Sequence, residues 1–184
     1  MQDVTLILGG SRSGKSSFGE KIALSKNARP IYIFTAQPLD EEMHQRIQIH
    51  KERRKNRDWQ DVEAPLELCE SIMNWDKRES TILVDCLSMW ITNLMMTTRD
   101  VDVEIRNLLS TVKACSGELI FVSNEVGFGI IPENAMAREF RDHLGLLHQK
   151  LAATAKNVVM MIAGIPVIIK GKNEISENTK GFEK

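Results

Sequence analysis

The sequence predicts an α/β fold, a mainly parallel sheet flanked by helices, and three observations carry that expectation. Short aliphatic and β-branched runs recur along the 184 residues, with helix-like segments between them. A glycine-rich segment follows the first run directly, where a strand would turn into a helix. Polar residues capable of chemistry sit just after several runs, at the strand ends where open parallel sheets bind ligands.

The elements follow in order. Val4 to Leu8 is a continuous apolar run, the pattern of a strand buried on both faces. A helix is expected over Ser16 to Ser25, then a strand over Pro30 to Thr35, rich in β-branched and aromatic residues. Asp40 can cap a helix reaching Arg54, and the acids Glu41 and Glu42 suit its first turn. A helix over Pro65 to Met73 can start at its proline. Thr81 to Val84 reads as a strand, and helices over Leu87 to Met96 and Val101 to Ala114 follow. Glu118 to Ser123 is the next strand, Ala135 to Thr154 the longest helix, and Val158 to Ala163 and Pro166 to Ile169 the last strands. No Pro-, Gly- or Ser-rich linker interrupts the chain, so residues 1–170 are expected as one domain and the polar stretch 171–184 as a loose tail.

Composition excludes several classes. The formal net charge is −1, without the basic excess of a general nucleic-acid binder. Cys69, Cys86 and Cys115 are odd in number and widely spaced, which suits reduced, mostly buried thiols in the cytoplasm. The first residues lead straight into a strand, and no apolar run approaches bilayer length. His44 and His50 are six apart and His143 and His148 five apart, so neither pair has zinc spacing on a helix. A G-x-S-x-G elbow and the H-R-D and D-F-G landmarks of protein kinases are missing.

Gly9-Gly10-Ser11-Arg12-Ser13-Gly14-Lys15-Ser16 is a complete G-x-x-x-x-G-K-[ST] phosphate loop. Its glycines let the backbone curl so that N–H groups point at phosphate oxygens, and the helix behind it favours the anion. Lys15 is placed for the outer phosphates and the Ser16 hydroxyl for Mg²⁺. A nucleoside triphosphate site on a RecA-like phosphate-loop NTPase fold is expected.

Other constellations group around that site. Asp85 ends an apolar run, as a Mg²⁺-holding acid of phosphate-loop proteins does, although many strands end this way. Between His44 and Arg57 six basic residues face one acid, and Arg46, His50, Arg53, Arg54 and Arg57 fall on neighbouring helix faces. That segment is either an ordinary solvated surface or a cation cluster that receives a polyphosphate and keeps one imidazole neutral as a nucleophile. Asn124 and Glu125 lie beside Gly127 and Gly129, where a ligand could approach closely, and both are candidates for the substrate site, with Glu125 or Asp85 as the group that removes a proton. Arg138 and Asp142 are spaced to pair on one helix face.

Taken together, these segments resemble the bifunctional adenosylcobinamide kinase and adenosylcobinamide-phosphate guanylyltransferase family. The resemblance runs through the phosphate loop, Asp40-Glu41-Glu42-Met43, Arg46-Ile47, His50, Trp59, Glu63 and Val84-Asp85-Cys86-Leu87. It continues through Thr92-Asn93-Leu94, Ser123 to Gly127, Ile131-Pro132, Arg138 to Asp142 and Ala163 to Pro166. Leu147-His148-Gln149 departs from the family pattern, with His148 where asparagine would precede the glutamine.

The resemblance implies phosphorylation of adenosylcobinamide by ATP or GTP, then GMP transfer from GTP to that phosphate, giving adenosylcobinamide-GDP and pyrophosphate. It implies that His50 carries GMP on the way and that Phe34, Thr35, Ala36, Lys51, Glu52, Arg53, Arg54, Glu63 and Asp85 contact nucleotide. It also implies Mg²⁺ and a homotrimer. Two alternatives stay open at this point: a phosphate-loop kinase for another small hydroxyl compound, and a regulatory GTP- or ATP-binding module.

Overall fold

The computed structural model describes residues 3–171 apart from 28, 38–40, 42–44, 46, 47, 50, 51, 53 and 56. In chain order it runs β1 (Val4–Gly9), α1 (Lys15–Lys26), β2 (Ile31–Phe34), β3 (Gln60–Glu63), α2 (Leu68–Trp75), β4 (Thr81–Asp85) and α3 (Leu87–Met95). Then come α4 (Val101–Ala114), β5 (Glu118–Asn124), α5 (Ala135–Thr154), β6 (Asn157–Ile162) and β7 (Ile165–Lys170). Residues 41, 45, 48, 49, 52 and 54 are helical, in keeping with the helix expected there; Asp40, Arg46, His50, Lys51, Arg53 and the tail beyond Gly171 lie outside the described residues.

The strands form one seven-stranded sheet in the order β3-β2-β4-β5-β1-β6-β7, parallel except for β7. Strand alternation sends successive side chains to opposite faces. Leu6, Ile33, Val84 and Phe121 therefore join the buried residues of α2, α3, α4 and α5, whereas Ile7, Tyr32, Leu83 and Val122 join Phe18, Ile22 and Ala23 of α1. Right-handed crossovers explain the division. The chain moves one way along the sheet from β1 to β2 and the other way from β3 to β4, β5 and β6, so α1 covers one face and α2 to α5 the other.

Two helix starts are capped as their sequences suggest. Asp100 accepts from Val103 N at 3.0 Å ahead of α4, and Asn134 accepts from Ala137 N at 3.0 Å ahead of α5. Inside α3, Trp90 is fully buried and its indole N–H donates to Leu66 O at 3.1 Å.

Three expectations need correction. β3 was not expected: its four residues carry one aliphatic side chain, Val62, and an edge strand half in solvent shows almost no apolar pattern. The helix expected from Pro65 begins at Leu68, because Leu68 N is committed to Leu66 O in a tight turn. Arg138 does not pair with Asp142; its Nη1 donates to Pro132 O at 2.9 Å and Glu133 O at 2.6 Å, closing the loop ahead of α5.

No disulfide joins Cys69, Cys86 or Cys115. Burial pushes the Cys115 thiol up to about 11, with the Asp76 carboxylate adding to the effect. No helix among the described residues is long and apolar enough to cross a membrane.

Trp90→Ala is expected to lower stability by about 3–5 kcal/mol, since it empties a large buried volume and strands Leu66 O. Urea unfolding should show a lower midpoint at unchanged slope.

Candidate functional site

The carboxyl ends of β1, β2, β4 and β5 meet along one edge of the sheet. At the β1/β5 boundary one crossover leaves toward each face, which opens a crevice between the strand ends. Gly9 stands at the end of β1, where a Cβ would sit 2.5 Å from Met161 O and 2.7 Å from Ser13 Oγ. Gly14 adopts φ 93°, a left-handed turn that lets the loop close before α1 begins. Ser13 N donates to Gly10 O at 3.3 Å and Phe18 N to Gly14 O at 3.0 Å, bonds that curl the loop into the start of α1.

Neighbouring segments hold the loop from both sides. Glu125 N donates to Gly9 O at 2.9 Å, and Gly164 N, at the β6–β7 turn, donates to Ser13 O at 3.1 Å. Ser11 and Arg12 remain exposed on the loop's outer turn. Lys15 is 7% exposed and its ammonium donates to Gly10 O at 2.6 Å. Burial lowers its pKa, opposed by the Asp85 carboxylate. Lys15 and Asp85 thus share one electrostatic neighbourhood.

Asp85 ends β4 in register with Phe34 of β2, and Phe34 pairs on its other side with Glu63. Its Oδ2 accepts the Tyr32 hydroxyl at 2.8 Å. Burial, and then the Asp85 charge, push the Tyr32 phenol well above its ordinary range, so it stays a donor. Thr35 is fully buried, and its hydroxyl donates to Cys86 O at 2.7 Å while accepting from Cys86 N at 3.0 Å. Thr35 therefore ties the ends of β2 and β4 together. Asn93 reinforces the tie from α3, donating to Thr35 O at 2.7 Å and Pro65 O at 2.9 Å.

The sequence expectations sort unevenly against this geometry. The phosphate loop, Phe34, Ala36, Glu63, Asp85, Asn124 and Glu125 all lie at the carboxyl ends of strands. His50, Lys51 and Arg53 lie outside the described residues, and Glu52 is exposed. Arg54, placed at the nucleotide by resemblance, is 4% exposed, with its guanidinium on Asp61 and the Tyr32 ring.

Glu125 has partners that sequence reasoning missed. Its Oε1 accepts from Gly127 N at 2.6 Å and its Oε2 lies 3.6 Å from His148 Nδ1. The other ring nitrogen of His148 is 2.8 Å from the buried Ser123 hydroxyl. A serine donating to Nε2 leaves Nδ1–H facing the Glu125 carboxylate. Burial lowers the His148 pKa, with Glu125 pulling it partly back. The clue in the sequence was a histidine at an apolar-face position of the longest helix, four residues after Leu144.

Comparison with known proteins adds family information to the geometry. Residues 5–169 match the family model described as cobinamide kinase / cobinamide phosphate guanyltransferase. A Pseudomonas aeruginosa protein named bifunctional adenosylcobalamin biosynthesis protein CobP is 38% identical over 169 residues, covering 91% of this chain and 97% of that one. A Salmonella typhimurium protein named bifunctional adenosylcobalamin biosynthesis protein CobU is 37% identical over 180 residues, covering 90% and 98%. Among solved structures, an ATPase domain aligns with TM-score 0.52 at 11% identity, covering 92% of this chain and 77% of that one. A Pyrococcus horikoshii OT3 protein aligns with TM-score 0.53 at 12% identity, covering 94% and 89%. The likeness to the ATPase domain supports the phosphate-loop, RecA-like fold expected from the sequence.

The His148 environment makes stability pH-dependent. Folding favours the neutral imidazole, so the unfolded chain binds more protons just below the ordinary pKa of 6.5. The contribution is complete above 6.5 and is lost as pH falls through the lowered folded value. His148→Gln should flatten that part of a thermal-stability profile; an unchanged slope would mean another group carries it.

Proposed function

Because this chain belongs to the cobinamide kinase / cobinamide phosphate guanyltransferase family, we propose that its single phosphate loop serves both reactions. The protein is a bifunctional kinase and guanylyltransferase, and its named relatives are bacterial proteins of adenosylcobalamin biosynthesis. In the proposed sequence, adenosylcobinamide first takes the γ-phosphoryl of ATP or GTP on its hydroxyl. GMP then passes from GTP to the new phosphate, giving adenosylcobinamide-GDP and pyrophosphate.

The observation that supports this reading is the convergence on one loop: the main-chain N–H of Glu125 donates to Gly9 O, which places that residue beside the loop's start, and Asp85 lies in the electrostatic reach of Lys15. In the kinase step Glu125 takes the hydroxyl proton while Lys15 and the loop N–H groups hold the transferring phosphoryl. Asn124, beside it, contacts the substrate. In the second step a ring nitrogen of His50 attacks the α-phosphorus of GTP, the bond to the β-phosphate oxygen breaks, and pyrophosphate leaves from Lys15. The substrate's phosphate oxygen then attacks that phosphorus, the N–P bond breaks, and the imidazole is restored. Lys51 and Arg53 offset charge on the transferring group, and Phe34, Ala36, Glu52 and Glu63 border the nucleotide, while the fully buried Thr35 holds the strand ends behind them.

Mg²⁺ suits the donors at hand. Ser16 and Asp85 offer hard oxygen ligands, and no group of three or more His, Cys, Asp or Glu able to hold a metal occurs among the described residues, so the cation would be shared with the phosphates. When bound, it neutralises charge on the leaving oxygens. In the same reading residues 1–170 are one catalytic domain, 171–184 a polar tail, and the chain works in the cytoplasm as a homotrimer. The exposed Ile165, Val167 and Ile169 of edge strand β7 support self-association, since alternate residues put all three on one face.

GTP labelled at the α-phosphate should leave an acid-labile, base-stable label on the protein. His50→Asn should remove the label and spare the kinase step, whereas Lys15→Ala should abolish both reactions. A label that survives in His50→Asn would overturn the assignment of the nucleophile. Retained labelling in Lys15→Ala would mean two separate nucleotide sites.

A further inference from the structure

The two reactions leave one buried polar chain without a task. His148 is 7% exposed on the face of α5 that also carries the fully buried Leu144, Leu147 and Leu151. Its Nε2 is 2.8 Å from the Ser123 hydroxyl, and its Nδ1 is 3.6 Å from Glu125 Oε2. Main-chain bonds fix the strand end between them. Asn124 N donates to Ser88 Oγ at 2.8 Å, and Glu125 N donates to Gly9 O at 2.9 Å.

We propose that His148 is a positioning residue for the kinase step: its Nδ1–H orients the Glu125 carboxylate for removal of the substrate's hydroxyl proton, and it touches no substrate itself. The inference rests on Glu125 being the base. In that step the hydroxyl oxygen bonds to the γ-phosphorus and the bond to the β-phosphate oxygen breaks, its electron pair leaving on the nucleoside diphosphate; the proton passes to Glu125 and then to water. With the main chain at Asn124 and Glu125 bonded, the freedom left to Glu125 is rotation of its side chain. Gly127 N holds Oε1 at 2.6 Å from within the same turn, and His148 is the group that reaches Oε2 from another element. At 3.6 Å the ring acts through its N–H dipole, without a full hydrogen bond, so it biases the carboxylate without neutralising it. Burial helps by keeping the ring neutral, since an imidazolium would pair with Glu125 and weaken it as a base.

The order serine, imidazole, carboxylate is also that of a hydrolase relay. Ser123 has no exposed surface, however, so no acyl or phosphoryl group reaches its oxygen. A role in packing alone accounts less well for the cluster. Leucine at this apolar-face position would fill space without a polar group to desolvate, whereas a buried histidine needs partners for both nitrogens, and one of the two partners here is the proposed base. Asparagine, which the resemblance places at this position, would keep the relevant donor. Its amide nitrogen stands two bonds from Cβ, as Nδ1 does.

The test measures two rates side by side: phosphorylation of adenosylcobinamide, and GMP transfer from GTP to adenosylcobinamide phosphate supplied ready-made. His148→Leu should lower kcat of the first about tenfold or more, with KM for adenosylcobinamide and the rate of the second each within about twofold of the parent. Both reactions use the same phosphate loop, so a role confined to holding the fold would lower them together, and that result overturns the proposal. Parent-like phosphorylation in His148→Leu overturns it too. His148→Asn should bring phosphorylation back to within about threefold of the parent, because an N–H again faces Glu125; a loss as deep as in His148→Leu counts against the proposal equally. Should His148→Leu fail to fold, Ser123→Ala decides. Freeing Nε2 lets the ring turn or change tautomer, so phosphorylation should slow about threefold or more while GMP transfer holds steady, and no change, or an equal fall in both, sinks the idea. Glu125→Gln separates this role from the reading beneath it. Phosphorylation that survives that change removes Glu125 as the base and this role with it, whereas phosphorylation lost there but normal in His148→Leu removes this role only.

Discussion

Everything at the carboxyl edge of the sheet depends on how closely the main chain passes itself at Gly9. A side chain there would meet both Met161 O and Ser13 Oγ, so β1 can turn into the phosphate loop only because nothing projects from that position. The turn leaves Gly9 O free to accept Glu125 N, and Ser13 O free to accept Gly164 N. The loop is therefore clasped from both sides of β1. Main-chain donors set in place beforehand cost little reorganisation when charge develops on a phosphoryl group.

The rest of the site is a set of ties between strand ends. Thr35 and Asn93 link β2, β4 and α3 by bonds between buried groups, and Tyr32 brings a protonated phenol onto Asp85. These side chains do no chemistry themselves. They decide where Asp85 sits relative to Lys15, and the low exposure around them makes each bond costly to break. On the other side of the loop, Ser123 and His148 play the matching part for Glu125. Each carboxylate is thus braced from its own side of the sheet, Asp85 by the Tyr32 hydroxyl and Glu125 by His148 and Gly127 N.

The braces were the least legible part. A phosphate loop is local: eight consecutive residues carry its shape and its charges, so it reads directly. Asp85 and Glu125 read nearly as well, because an apolar run ahead of each placed it at a strand's carboxyl end. Tyr32, by contrast, looks like one more β-strand aromatic. Its meaning comes from Arg54, 22 positions later, and Asp85, 53 positions later. Ser123 and His148 are 25 residues apart and meet only because α5 folds back across the sheet. β3 escaped notice for a related reason, since an edge strand half in water has little periodicity to display.

By itself, the sequence determined the parallel α/β architecture, the nucleotide-binding loop, the family and the strand ends that bear the acids. Each of these rests on contiguous patterns of apolar residues, glycines and charges, whose physics acts within a few residues. Tertiary structure alone decided the fate of the long polar side chains. Arg54 looked like one more cation in a basic run, and the fold turned it inward onto Asp61 and the Tyr32 ring. A charged group several bonds from the backbone goes wherever its desolvation is best repaid, and the partners that repay it come from elsewhere in the chain.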